Sequence, residues 1–219
     1  MFNVTRPDQT PSSLAAKRSY TEPDVLYALN AMFLGKCYIC ETKDPLSLNV
    51  EHFEAHQGDI DKKFDWNNLF FCCARCNNIK RDSFNSLIDC TDSAIDALRS
   101  IKHIAPITPN PNRIVIQPTN NYPKTVETAK LIEKVFNDQN TANKKISLIS
   151  LKMRLYKRYS LLFKHINTYI DPDKLETERQ YAFEHLKQMM KKEQEYSAFI
   201  RWAVLDDTSL CEKLEMYID

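Results

Sequence analysis

Hydrophobic positions recur at helical spacing near the start of the chain and through most of its second half. A strand-like alternation is confined to the middle. Val25, Leu26, Leu29, Met32 and Phe33 share one helical face. Thr21 or Asp24 is placed to cap that helix, Pro23 is tolerated in its first turn, and Gly35 is placed to end it near Leu34. Ahead of it, residues 1–20 are polar and proline-punctuated, which predicts an extended arm. Leu46, Leu48 and Val50 alternate with polar residues as a half-buried strand does, and Leu69, Phe70 and Phe71 form a second short apolar run. Between these runs, residues 54–67 read as a polar loop. Residues 105–123 hold five of the ten prolines and a strand-like segment at 113–117, the pattern of a linker crossing a surface. From Thr125 the spacing is helical almost to the end, with breaks at Asp171-Pro172 and Asp206-Asp207. The pattern therefore predicts a mainly α chain of the α+β class with one small β block. Its segments are an arm and helix (1–35), a cysteine-rich block (36–90), a proline-rich linker region (91–124) and a helical region (125–219).

Composition narrows the chemistry. Only two glycines, Gly35 and Gly58, occur in 219 residues. A P-loop needs two glycines in one short segment and a dinucleotide-binding turn needs three, so nucleotide binding by those devices is excluded. No stretch approaches the ~18 apolar residues of a membrane span, and residues 1–20 contain no apolar run of the secretory kind. A cytoplasmic, reducing environment is the expectation, and there paired cysteines read as metal ligands before they read as disulfides.

The seven cysteines include two Cys-x-x-Cys pairs, Cys37 with Cys40 and Cys73 with Cys76. Each pair aims two sulfurs at one point, and four thiolates complete a tetrahedral zinc shell. The other reading of these four is as small buried hydrophobes. Cys72, Cys90 and Cys211 fall outside the spacing and are expected to be buried free thiols. The long spacer between the pairs carries Val50-Glu-His-Phe53, then Trp66-Asn-Asn-Leu69, and the second pair opens Cys73-Ala-Arg-Cys-Asn-Asn-Ile-Lys80.

This order of elements, from about Gly35 to Phe84, resembles the HNH endonuclease family, whose fold is a ββα-metal module often pinned by a zinc knuckle. The resemblance implies Glu51 as an acidic metal ligand, His52 as the general base, Asn68 as the residue that orients the base, and Asn77 as a second metal ligand. Glutamate stands where aspartate is commoner, and asparagine where the name-giving members have histidine. Both keep an oxygen donor, which suits Mg²⁺, with Mn²⁺ as a substitute. His56 lies where many relatives carry lysine and is a candidate substrate or metal contact, or else a surface loop residue.

The chemistry of phosphodiester hydrolysis agrees with those residue types. A histidine of ordinary pKa, about 6.5, can take a proton from water at neutral pH. A divalent ion can coordinate a phosphate oxygen and the leaving oxygen. On a strand, Glu51 and His52 point to opposite sides. Asn77 is expected at the start of a helix running to about Ser86, where free N–H groups favour phosphate. Lys80 and Arg81 in that helix are candidate phosphate contacts. The acidic residues Glu54, Asp59, Asp61 and Asp65 read as a solvated loop, and His103, His165 and His185 show no ligand spacing.

Between Asn140 and Ile170 there are seven Lys or Arg and no acidic residue. Arg154, Lys157, Arg158, Lys164 and His165 fall opposite a broad apolar arc. That face is either the solvated back of a core helix or a stripe, with Arg154 and Arg158 in it, that tracks a phosphate backbone or docks an acidic partner.

The layout of the whole chain is also similar to the PtuB family, the HNH subunits of Septu-type antiphage systems, including retron-associated forms. The features are Arg6-Pro7, Pro11-Ser-Ser-Leu14, a helix into Lys36-Cys-Tyr-Ile-Cys-Glu41, Glu51-His-Phe53 and a long helical tail. That similarity implies a PtuA-like ABC-type ATPase as partner, a nucleic-acid substrate, and in retron forms a reverse transcriptase with its reverse-transcribed DNA. HNH sites act mainly on DNA, with RNA such as tRNA as the alternative. The competing expectation is a catalytically inactive, zinc-stabilised binding subunit. Charge bears on where substrate is gripped. The net charge is +1, but residues 1–100 hold 11 basic against 14 acidic residues, and residues 101–219 hold 19 against 15. The cysteine block thus sits on the acidic half, and the helical half or a partner is expected to supply the grip.

Overall fold

A computed structural model describes every residue except Ala105, Ile107, Asn110 and Asp219. The chain is mainly helical with two small two-stranded sheets. It divides into two compact units. The first comprises residues 1–101 and 116–135, and the second residues 102–115 and 136–219.

In the first unit, helix α1 (Pro23–Met32) starts with proline in its first turn and ends as the Gly35 N–H bonds back to the Asn30 carbonyl at 2.9 Å. Gly35 has φ +69°, and a Cβ there would meet the Asp44 carboxylate at 3.0 Å. Only glycine suits that turn. Strand β1 (Leu48–His52) pairs antiparallel with β2 (Leu69–Cys73), placing Val50 opposite Phe71, Glu51 opposite Phe70 and His52 opposite Leu69. The expected alternation holds only in part. Leu46 is fully exposed and Leu48 half-exposed, whereas Val50 and Glu51 are both buried. β2 is buried along its whole length because α1 and a third helix cover it.

The 54–67 segment is more ordered than a polar loop. It contains helix α2 (Ile60–Phe64), capped by the Asp59 carboxylate, and a short 3₁₀ turn at Trp66–Asn68 capped by Asp65. Buried Phe64 and Trp66 anchor it. Its acidic residues are spent locally: Asp59 and Asp65 as caps, Asp61 on Lys17 at 2.5 Å, and Glu54 on Lys62 at 3.2 Å. Helix α3 (Ala74–Lys80) follows β2 directly and packs on both strands. Residues 1–20 are largely without regular structure, and half of them are exposed, but they are anchored on the protein. Met1 and Phe2 are buried, and the Arg6 guanidinium donates to the Trp66 and Leu69 carbonyls while lying over the Trp66 and Phe70 rings.

The linker expected at 91–124 includes Ala105, Ile107 and Asn110, which lie outside the described residues. Its described part carries α4 (Ala97–Ser100), β3 (Ile101–Ile104) and β4 (Val115–Pro118), and the boundary between units falls within both strands. Helix α5 (Pro123–Asn137) leads into the second unit, which holds α6 (Ala142–Ile170), α7 (Glu176–Met190), α8 (Ser197–Leu205) and α9 (Thr208–Leu214). The breaks at Asp171 and at Asp206-Asp207 occur as expected, and the Asp207 carboxylate caps α9. Two further breaks come from a Thr141 cap and from Tyr196, whose φ is +55°. Leu155, Leu162, Leu186, Met190, Phe199 and Val204 form the core of this unit. Among the described residues, no helix is long and apolar enough to cross a membrane.

Candidate functional site

The strand register and the two Cys-x-x-Cys turns bring Cys37, Cys40, Cys73 and Cys76 into one buried group, with all four sulfurs within 4.8 Å of one another. A tetrahedron with metal–sulfur bonds of about 2.3 Å has edges of about 3.8 Å. Cys40 and Cys73 stand 3.8 Å apart, so the set could hold a structural metal such as zinc. Burial and Cys40 raise the Cys37 thiol, but hydrogen bonds from Cys72, Cys73 and Cys76 prevail and bring it down to about 5. Cys72 lies beside the cluster, its sulfur 3.8 Å from that of Cys37. Cys72 and Cys90 are buried free thiols, as expected, whereas Cys211 on α9 is only partly covered.

His52 ends β1 half-buried and opposite Leu69, at the other end of the hairpin from the Leu48–Cys73 pair where the cluster lies. Its Nε2 stands 3.0 Å from the Lys63 carbonyl, which can only accept, so Nε2 carries the proton and Nδ1 keeps the lone pair. The ring lies between Tyr20 and His56, each at a centroid distance of 4.7 Å in an edge arrangement. Burial pulls the His52 pKa below its usual value, opposed by the bond to Lys63 and aided by nearby His56, Lys80 and Lys63. A neutral imidazole at pH 7 follows. His56 accepts the Gly58 N–H at Nδ1, at 3.1 Å.

Asn68 is buried and spends its carboxamide on the same loop. Nδ2 donates to the Glu54 and Lys62 carbonyls at 2.9 and 3.0 Å, and Oδ1 accepts the Glu54 N–H at 2.7 Å. It thereby holds the backbone on both sides of the loop, one residue from the Lys63 carbonyl that receives the His52 proton. Tyr20 and Lys63 carry no motif in the sequence; only the folded path of residues 1–20 brings Tyr20 to His52.

Three expectations meet a different geometry. Glu51 does point away from His52, but into the protein. Its carboxylate is buried and accepts from the Lys80 ammonium at 2.8 Å. Burial raises its pKa and Lys80 lowers it, with burial prevailing. Lys80, expected at a phosphate, is fully buried and also donates to the His52 carbonyl at 2.9 Å. As folded here, Glu51 is already neutralised by Lys80, so the residues present do not fit Mg²⁺ at Glu51. Asn77 lies within α3, not at the start of a helix reaching Ser86, because Cys73 is the N-cap and Arg81 stops the helix. A seven-residue helix offers no anion site of its own. Asn77 is half-buried, one turn before Lys80 and so on its face of α3, and its carboxamide has no hydrogen-bond partner among the described residues.

Arg81 is exposed, with φ +46° and its guanidinium on the Asn78 carbonyl at 3.1 Å. Arg154 and Arg158 belong to the second unit. Arg154 pairs with Glu195, and Arg158 donates to the Gln194 side chain at 3.2 Å, so both are engaged within the unit. His165, which shows no ligand spacing in the sequence, is buried and stacked on His185 at 4.7 Å.

No family model matches this chain, and no curated protein matches it closely enough to count as a relative.

Proposed function

We propose that this protein is a metal-dependent HNH endonuclease that hydrolyses phosphodiester bonds of nucleic acid, and that it serves as the effector subunit of a bacterial antiphage complex with a PtuA-like ATPase. The observation that carries the nuclease reading is His52. It is a half-buried, neutral imidazole with its Nε2 proton committed to Lys63, held at the end of a hairpin whose base is a four-cysteine cluster. Such a histidine is set up to take a proton from water at Nδ1 and no longer has a choice of tautomer. Asn68, which braces the loop beside His52, and Asn77, whose carboxamide on α3 is unused among the described residues, support the reading more weakly. Zinc is the structural metal of this reading. The divalent ion of the family would supply charge neutralisation at the phosphate, and no step through it is drawn from these residues as they stand. The defence role and its partners rest on the sequence layout alone.

A second reading is an inactive zinc-stabilised binding subunit. It is favoured by one observation, the buried pairing of Glu51 with Lys80.

The test is cleavage of plasmid DNA and total RNA, with and without Mg²⁺, by the wild type and by His52→Ala purified with its genomic neighbours. The nuclease reading expects loss of cleavage at unchanged zinc content and helicity. Unimpaired cleavage by the variant would overturn it, and no cleavage by any preparation would favour the binding subunit.

A further inference from the structure

The apolar arc of α6 is wider than its neighbours cover. Its inner edge, Leu148, Leu151, Leu155, Tyr159 and Leu162, is buried where α6 packs on α7 and α8. Its outer edge, Ile146, Ile149, Met153, Phe163 and Ile170, is exposed, although the solvent side of a surface helix is ordinarily polar. These residues are not scattered. Together with Tyr156, Ser160 and Asn167 they occupy positions 146, 149, 153, 156, 160, 163, 167 and 170, alternating steps of three and four along the helix. That alternation is the seam of a coiled coil, where each knob enters a hole on a second helix. A polar residue such as Asn167 within a seam is a device that fixes register at some cost in stability.

The flanks of the seam select its partner. Lys145, Lys157 and Lys164 are exposed at positions adjoining it and form no ion pair among the described residues. Residues 140–170 contain no acidic side chain. A second copy of this helix would set lysine against lysine, which disfavours self-pairing. A phosphate backbone would meet the lysines but leave Ile149, Met153 and Phe163 without apolar contact. A membrane would have to take Ser160 and Asn167 into its apolar layer at a cost. We propose that the outer face of α6 is a docking surface for an amphipathic helix of another protein, one with an apolar seam and acidic flanks. Such a helix would lie along about 36 Å of α6, its apolar residues entering the seam and its carboxylates meeting Lys145, Lys157 and Lys164.

The inference is independent of the nuclease reading, and its test uses no cleavage. The probe is a fluorescent synthetic peptide of four heptads with Ile and Leu at the seam and Glu at both flanking positions. Repulsion among its own glutamates keeps it from self-pairing. Its binding to the full-length protein is followed by fluorescence anisotropy, beside a control peptide with Lys for every Glu. The acidic peptide should bind saturably, at least ten-fold more tightly than the basic one, and more weakly as salt rises. Ile149→Gln with Met153→Gln should weaken it several-fold at unchanged helicity, since both positions are exposed. Lys157→Glu with Lys164→Glu should reverse the preference between the two peptides. The proposal is overturned if the acidic peptide does not bind, if both peptides bind equally, or if neither pair of substitutions changes binding. It is also overturned if the face serves another occupant. The signs of that are a wild-type dimer in sedimentation, or tighter binding to anionic phospholipid vesicles or single-stranded DNA than to the peptide, lost in the Ile149→Gln, Met153→Gln variant.

Discussion

The Nε2 proton of His52 is committed to the Lys63 carbonyl, 3.0 Å away and eleven residues later in the chain. This bond decides which nitrogen carries the proton, and it depends on a loop that three bonds to Asn68 hold in place.

The first prediction concerns pH. A general base works in its neutral form, and burial lowers the His52 pKa. Cleavage should therefore persist below pH 6.5, where an ordinary histidine is half-charged, and fall only as pH drops through the depressed value. The pH profile of kcat/KM checks this. An acidic limb at or above 6.5 would contradict it.

Asn68→Ala removes three hydrogen bonds and leaves the Glu54 N–H and two carbonyls to find water. The expected cost is about 1–3 kcal/mol in stability, read by urea denaturation. Faster amide hydrogen exchange should be concentrated in residues 53–63. Cleavage should fall with it, because the Lys63 carbonyl is no longer fixed, while zinc content should not change.

The four-cysteine cluster should bind one zinc per chain. Structural zinc in small domains is worth on the order of 10 kcal/mol, and here it would join the Cys37–Cys40 turn to β2 and α3. Cys40→Ser or Cys73→Ser should abolish stoichiometric zinc and destabilise the first unit. Cys90→Ser, away from the cluster, should leave zinc unchanged. Metal analysis and thermal melts separate these outcomes.

Arg81 holds φ +46°, a conformation that favours glycine. Arg81→Gly should stabilise the fold by up to ~1 kcal/mol and weaken nucleic-acid binding by removing an exposed charge. Its salt-dependence slope should drop by about 1. Arg154→Ala, which breaks a pair with Glu195 inside the second unit, should change stability more than binding. Melts and binding titrations at several salt concentrations test both.

Much of this was legible in the sequence. The two Cys-x-x-Cys spacings are local, and a turn of two intervening residues nearly fixes where its sulfurs point, so the four-cysteine cluster followed from the chain itself. Helix α1, its end at Gly35 and the breaks at Asp171 and Asp207 followed from periodicity and caps, which are also local. The fates of Glu51, Lys80, Arg154 and Tyr20 were not legible. Sequence places Lys80 on a helix with a charged end, and solvent is the ordinary expectation for such an end. Only the packing of α3 across the hairpin gives it Glu51 and the His52 carbonyl. Arg154 and Arg158 formed a basic stripe on a helical wheel, but a wheel cannot show that the turn after α7 supplies Glu195 and Gln194.

By itself, then, the sequence determined the four sulfurs that cluster and the helical character, because these depend on residue type and short spacing. The tertiary structure decided which charges are free, which nitrogen of His52 is protonated and which acids are caps. Those depend on partners distant in the chain, and on a burial cost that compels buried charges to find one another.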